Sequence, residues 1–235
     1  MKTLPKTRQS SLKAKSEILY TFQQALAAHQ ENQLNVAKAI YQTVLQLDSK
    51  FYPALHMMGV LAAQSLEFQT AIEFISKAIK VNPTDAPAHF NLANAYLELG
   101  HIEKAIVSYD NSITLKPNYA EAHANRGVAL HSFGKIKEAI ASFSNAIQLA
   151  PNFVDAYLNK GNSLRSLGRL DEAEESFRHV LKITPNHSQA LTALSKILLK
   201  TGRHKDGLRV QSTVFGSIIF DAKSGVFVRP KFHHA

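Results

Sequence analysis

Three asparagines carry the clearest chemical signal in the chain. Asn91, Asn125 and Asn159 stand at a constant spacing of 34 residues, and Asn94 and Asn162 follow two of them by three positions. Each carboxamide offers both hydrogen-bond donors and an acceptor, the complement of a peptide unit. Helices set about 10 Å apart would present such a row to every third residue of an extended chain, at about 3.3 Å per residue. These residues suit recognition of a polypeptide backbone rather than bond making.

Sequence signals for other chemistry are absent. There is no H-E-x-x-H, no phosphate-cradling glycine loop, no G-x-S-x-G elbow, and no phased cluster of His with Asp or Glu. The eleven histidines are scattered. His89 and His123 share one phase of the 34-residue period and read as packing residues, and His233-His234 read as a solvated tail. The lack of cysteine excludes disulfides, thiolate metal sites and cysteine nucleophiles, and fits a reducing, cytoplasmic setting. Neither an enzyme activity nor a cofactor or metal is expected.

The amides are positioned by a repeat. Residues 86–187 hold three consecutive 34-residue copies of one pattern, and the period extends outward to units at 18–51, 52–85 and 188–215. The outer copies are worn: Asn32 stands where the others have a turn glycine, Ser49 where they have Pro, and Gly207 where they have Ala. End units meet water on one side, so their signature is expected to drift.

Within a unit the spacing predicts two amphipathic helices. In 120–153, Ala122, Arg126, Gly127 and Leu130 fall at helical intervals, as do Ala139, Ile140, Phe143, Ala146 and Ile147, with a break at Phe133-Gly134-Lys135. Gly100, Gly134, Gly168 and Gly202 are placed to end each first helix in a left-handed conformation. Pro83, Pro117, Pro151 and Pro185 stop the preceding helix. Asn118 with Glu121, Asn152 with Asp155, and Asn186 with Gln189 have the spacing of capping boxes. Small residues mark a close helix crossing: Gly59, Ala93, Gly127 and Gly161 in the first helix, and Ala71, Ala105, Ala139 and Ala173 in the second. Ile75, Tyr109, Phe143 and Phe177 are the larger pieces expected to fill the space between hairpins.

These residues resemble the tetratricopeptide repeat, with its phased small residue, turn glycine, alanine, aromatic and proline. The likeness covers about residues 18–215, although the pattern's tryptophan is replaced by Leu55, His89, His123, Tyr157 and Leu191. It implies an all-α, right-handed α-solenoid of about six helical hairpins, closed by a short C-terminal β-hairpin or irregular cap.

It also implies a concave groove with Asn91, Asn125 and Asn159 along its inner wall, Asn94 and Asn162 beside them, and Phe90, Leu97, His131, Leu158 and Arg165 on the rest of its surface. The repeat domain of O-GlcNAc transferase holds peptide backbones with similar asparagine rows. The same phase also admits asparagine without any ligand. The row stops at Gln23, Met57 and Ala193 in the outer units, and the lysines of a two-carboxylate clamp are replaced by Phe90, Ala124 and Leu158.

Charge argues against nucleic acid as the partner of the array and leaves it only the basic ends. Residues 1–17 hold five Lys/Arg against one Glu, and 203–235 hold six against two Asp; the 18–202 segment has 16 basic and 15 acidic residues. The excess sits in the ends, so the array lacks the footprint of a nucleic-acid binder. No apolar run approaches the roughly 20 residues of a membrane span. Residues 1–17 read as a disordered basic lead without a signal-peptide core. In 216–235, Ile218–Phe220 and Val226–Val228 flank a turn-rich stretch and predict a hairpin, either a cap on the last repeat or a docking edge for another copy.

The function expected is a protein-interaction scaffold or adaptor that binds an extended peptide. The alternative is a non-catalytic arm recruiting substrate for a glycosyltransferase or sulfotransferase.

Overall fold

The computed structural model describes residues 6–215, 217–221 and 225–229, with side chains over 13–213. The described residues form six helical hairpins, each pairing a first and a second helix. They are α1 (Lys6–Gln30) with α2 (Leu34–Leu47), α3 (Tyr52–Gln64) with α4 (Phe68–Val81), and α5 (Ala86–Glu98) with α6 (Ile102–Leu115). Then come α7 (Ala120–Ser132) with α8 (Ile136–Leu149), α9 (Val154–Ser166) with α10 (Leu170–Ile183), and α11 (Ser188–Lys200) with α12 (His204–Phe215). Two antiparallel strands follow, β1 (Ser217–Asp221) and β2 (Gly225–Arg229), with Ile219 opposite Phe227. The fold is an all-α repeat solenoid with a short terminal β-hairpin.

The chain divides into two compact units, Met1–Pro117 and Asn118–Ala235, each holding three hairpins. The sequence predicts one uninterrupted array over 18–215. A stacked repeat has no common core, because each hairpin packs only on its neighbours, so grouping into smaller bodies costs no central contact.

The turns follow from residue type. At the end of α5 the Gly100 N–H donates to the Leu97 carbonyl at 2.9 Å and the His101 N–H to the Tyr96 carbonyl at 2.8 Å, with Gly100 at φ +75°. This pair of bonds satisfies carbonyls that the helix end leaves open, and it needs the left-handed conformation glycine adopts freely. Asn32 (φ 58°) and Leu66 (φ 61°) hold the same place in the first two hairpins. Between hairpins, Asn82, Lys116, Ala150 and Thr184, each preceding a proline, leave the helical region at ψ 85–90°, as the proline ring demands.

Two local expectations are corrected. The helix starts are not capped by Asn118, Asn152 and Asn186; the N-cap positions are Tyr119, Phe153 and His187, one residue later. Only His187 caps with its side chain, accepting from the Ala190 N–H at 3.3 Å. Pro and Asn instead occupy the middle of a turn closed, at the 150–153 corner, by the Phe153 N–H on the Ala150 carbonyl. The residue after it is given to packing, Phe153 lying against Ala124, Ala146 and Ala156.

The second correction concerns the basic lead, helical from Lys6 onward where disorder was expected over 1–17. No Pro or Gly interrupts 6–30, and extending a helix already nucleated on a packed segment costs little. Residues 1–5, 216, 222–224 and 230–235, His233-His234 among them, lie outside the described residues.

Burial repeats with the period. Ala37, Ala71, Ala105, Ala139 and Ala173 are fully buried, and so are Tyr41, Ile75, Tyr109, Phe143 and Phe177. In the first unit Phe22, Ala25, Tyr41, Val44 and Met58 form one cluster, and Ala62, Ile72, Ile75 and Ala88 another. In the second unit Leu164, Phe177, Val180, Leu194 and Ile197 join α9 to α11. Besides facing the next hairpin, Phe143 and Phe177 press on the glycine of their own, and a Cβ on Gly127 or Gly161 would lie 2.6 or 2.8 Å from the ring. Gly207 replaces the usual alanine for the same reason, since its Cβ would meet Leu199 at 2.8 Å.

The last hairpin is tied down electrostatically. Glu174 is 8% exposed and receives both the Arg203 guanidinium, from the α11–α12 turn, and Arg178. Burial raises its pKa, but the bonds from Arg203 and Arg178 outweigh that and hold it below the usual carboxylate range.

Candidate functional site

In the second unit the face of the first helices carries a trough. Asn159, Asn162 and Arg165 succeed one another at three-residue steps on α9, which places them along one slanting ridge. On one side the ridge borders a hollow of about 440 Å³ against α7, where Val128, His131 and Ser132 form the wall and Phe143 the floor. On the other it borders a hollow of about 650 Å³ against α11, lined by Leu158, Gln189, Thr192 and Ala193. The same three ridge residues line both.

Their side chains are available. Asn159 and Asn162 are half-buried, and among the described residues neither carboxamide has a hydrogen-bond partner. Nearby hydroxyls are turned onto their own helix: Ser163 donates to the Asn159 carbonyl at 2.8 Å and Ser166 to the Ser163 carbonyl at 2.8 Å. Ser166 is exposed and its lone pairs remain to accept from a ligand N–H, whereas Ser163 is fully buried.

The first unit treats its asparagines differently. The Asn91 amide donates to His56 Nε2 at 3.0 Å, and His56 Nδ1 lies 3.4 Å from Asp85 Oδ2 and 3.4 Å from the Tyr52 hydroxyl. Burial lowers the His56 pKa and raises that of Asp85, the latter opposed by a backbone bond from Ala88 and by nearby His89. A neutral His56 therefore donates from Nδ1 and accepts from Asn91. Asn94 Oδ1 accepts from the Tyr109 hydroxyl at 2.5 Å, and the Phe90 ring lies tilted on Tyr109 at 6.0 Å.

Of the residues expected to line a groove, Asn159, Asn162, His131, Leu158 and Arg165 thus come together around α9. Asn91 and Asn94 are engaged inside the first unit, Leu97 is half-buried on α5, and Asn125 is half-buried on α7. His123 is buried as a packing residue, whereas His89 is partly exposed with its Nε2 on the Pro83 carbonyl at 3.0 Å. Ser132, Ser166 and Thr192 were missed. Ser132 and Ser166 are 34 residues apart, a phase that could have drawn notice. Nothing in the spacing joins His56 to Asp85, since they meet only through packing of α3 on α5.

This fold of paired helices, with turn glycines and crossing alanines in phase, defines a class of helical-hairpin repeat protein. A TPR repeat model matches residues 93–134, and two tetratricopeptide repeat models match 130–197 and 74–107, together more than half of the chain. The chain belongs to the tetratricopeptide repeat (TPR) proteins. A search of curated proteins finds no match.

Among solved structures, MamA is similar at 25% identity and a TM-score of 0.66, over 68% of this chain and 93% of MamA. YrrB, described as a TPR protein with an unusual peptide-binding site, aligns at 22% identity and a TM-score of 0.69, over 80% of this chain and 97% of its own. PilF of Pseudomonas aeruginosa aligns at 18% identity and a TM-score of 0.73, over 86% of this chain and 90% of its own. No described helix is long and apolar enough to cross a membrane.

Proposed function

We propose that this chain is a non-enzymatic scaffold or adaptor that holds an extended protein segment across α7, α9 and α11. The observation that carries the reading is the pair Asn159 and Asn162, two carboxamides without a partner among the described residues, on a ridge between two hollows. Leaving such groups without a ligand costs little while they touch water, and each can exchange water for a peptide N–H and C=O. YrrB supplies a precedent for peptide binding on this fold. Asn125, on α7 of the same unit, extends the surface where its own contact yields to the ligand. The cysteine-free sequence suits a reducing cytoplasm.

The test is selection of a phage-displayed random decapeptide library on the full chain, followed by titration of a synthesised selected peptide. Asn159→Ala with Asn162→Ala should weaken its binding at least tenfold with helicity unchanged. Equal affinity for the double variant would remove the ridge as the binding site.

A further inference from the structure

We propose that the segment held on α9 is acidic, with an Asp or Glu side chain seated on Arg165; this deepens the groove reading above and rests on it. Arg165 is exposed and lines both hollows. Three arginines of the second unit are matched internally, Arg169 by Glu172 and both Arg178 and Arg203 by Glu174, and Arg126 donates to the Ser142 hydroxyl at 3.4 Å. Arg165 has no anionic partner among the described residues, and no Asp or Glu lines either hollow. Its charge therefore stands uncompensated at the junction of two hollows whose other lining groups are amides, hydroxyls, apolar side chains and the His131 ring.

Such a charge selects its ligand. A guanidinium presents paired N–H donors that match the two oxygens of a carboxylate. The Ser163 and Ser166 hydroxyls donate to their own helix, so they do not compete with the guanidinium for an anion. Asn162 lies one helical turn before Arg165 and fixes the peptide backbone, so the acidic side chain falls at a set position relative to it. One cation is too few to track a row of phosphates, which excludes a nucleic acid at this place.

The same random decapeptide library, selected on the full chain, decides the matter. The peptides enriched should share an Asp or Glu at one position. Changing it to Asn or Gln in a synthesised selected peptide should weaken binding at least fivefold, the loss shrinking at high salt. In Arg165→Gln, which replaces an exposed side chain, the acidic and amide peptides should bind alike. Enriched peptides without a common acidic position, or an acidic preference that survives in Arg165→Gln, would overturn the assignment and leave the groove reading standing. Failure to enrich any peptide, or selected peptides that bind equally to the Asn159→Ala, Asn162→Ala variant, would overturn both.

Discussion

Gly127→Ala tests how tightly the period is enforced. An alanine Cβ would lie 2.6, 2.8 and 2.9 Å from three atoms of the Phe143 ring, on a side chain that is 1% exposed. Carbon atoms in contact prefer about 3.5–4.0 Å, so the ring must retreat by about 1 Å from the position that its neighbours hold. Alanine in place of glycine normally stabilises a helix interior by about 1 kcal/mol, whereas overpacking a filled core costs about 1–3 kcal/mol. With three ring atoms inside contact distance the upper part of that range applies, leaving a net loss of about 1–2 kcal/mol. Thermal unfolding of the full chain, followed by circular dichroism, should show the second unit melting about 4–8 °C lower. Phe143→Leu removes the atoms in the way, so in that background the alanine should be neutral or stabilising, a coupling between neighbours that a double-mutant cycle isolates. Gly134→Ala is the contrast: nothing lies within 4 Å, but φ is +84°, so its cost of about 1 kcal/mol comes from backbone strain and is indifferent to Phe143. A Gly127→Ala variant more stable than the wild type would refute the crossing geometry.

Two further outcomes follow from the first unit. Leu66 sits at φ 61° and is 74% exposed, so Leu66→Gly should relieve left-handed strain and stabilise by about 1 kcal/mol; an unmoved urea midpoint would show that the strain is absent. Burial holds the His56 pKa below its usual value, so between the two values the unfolded chain binds the extra proton. Stability from this site is then complete above about pH 6.5 and is lost as pH falls through the lowered value. Asp85, raised by burial, acts in the opposite sense but in the carboxylate range. Melts from pH 8 to pH 5 should show the wild type losing stability relative to His56→Gln toward acid, and a difference that stays constant with pH would count against it.

The hairpins were legible in the sequence because glycine, proline and alanine act locally. Gly100 and Gly134 end helices through their own backbone freedom, and the residues before Pro117 and Pro151 leave the helix whatever surrounds them. The asparagines at 118, 152 and 186 misled because a capping box and a Pro-Asn turn look alike in spacing. Which one forms depends on whether the next side chain must pack, as Phe153 does.

The sequence by itself determined the repeat, the buried phases and the lack of a row of cations, all of which depend on residues returning every 34 positions. Only the tertiary structure decided which members of the asparagine row remain available. Asn91 and Asn94 meet His56 and Tyr109, while Asn159 and Asn162 meet no partner among the described residues and border open hollows with Arg165. Equal phase guarantees an equal direction from the helix, but hydrogen bonding depends on the neighbour across the gap, and neighbours differ from one hairpin to the next.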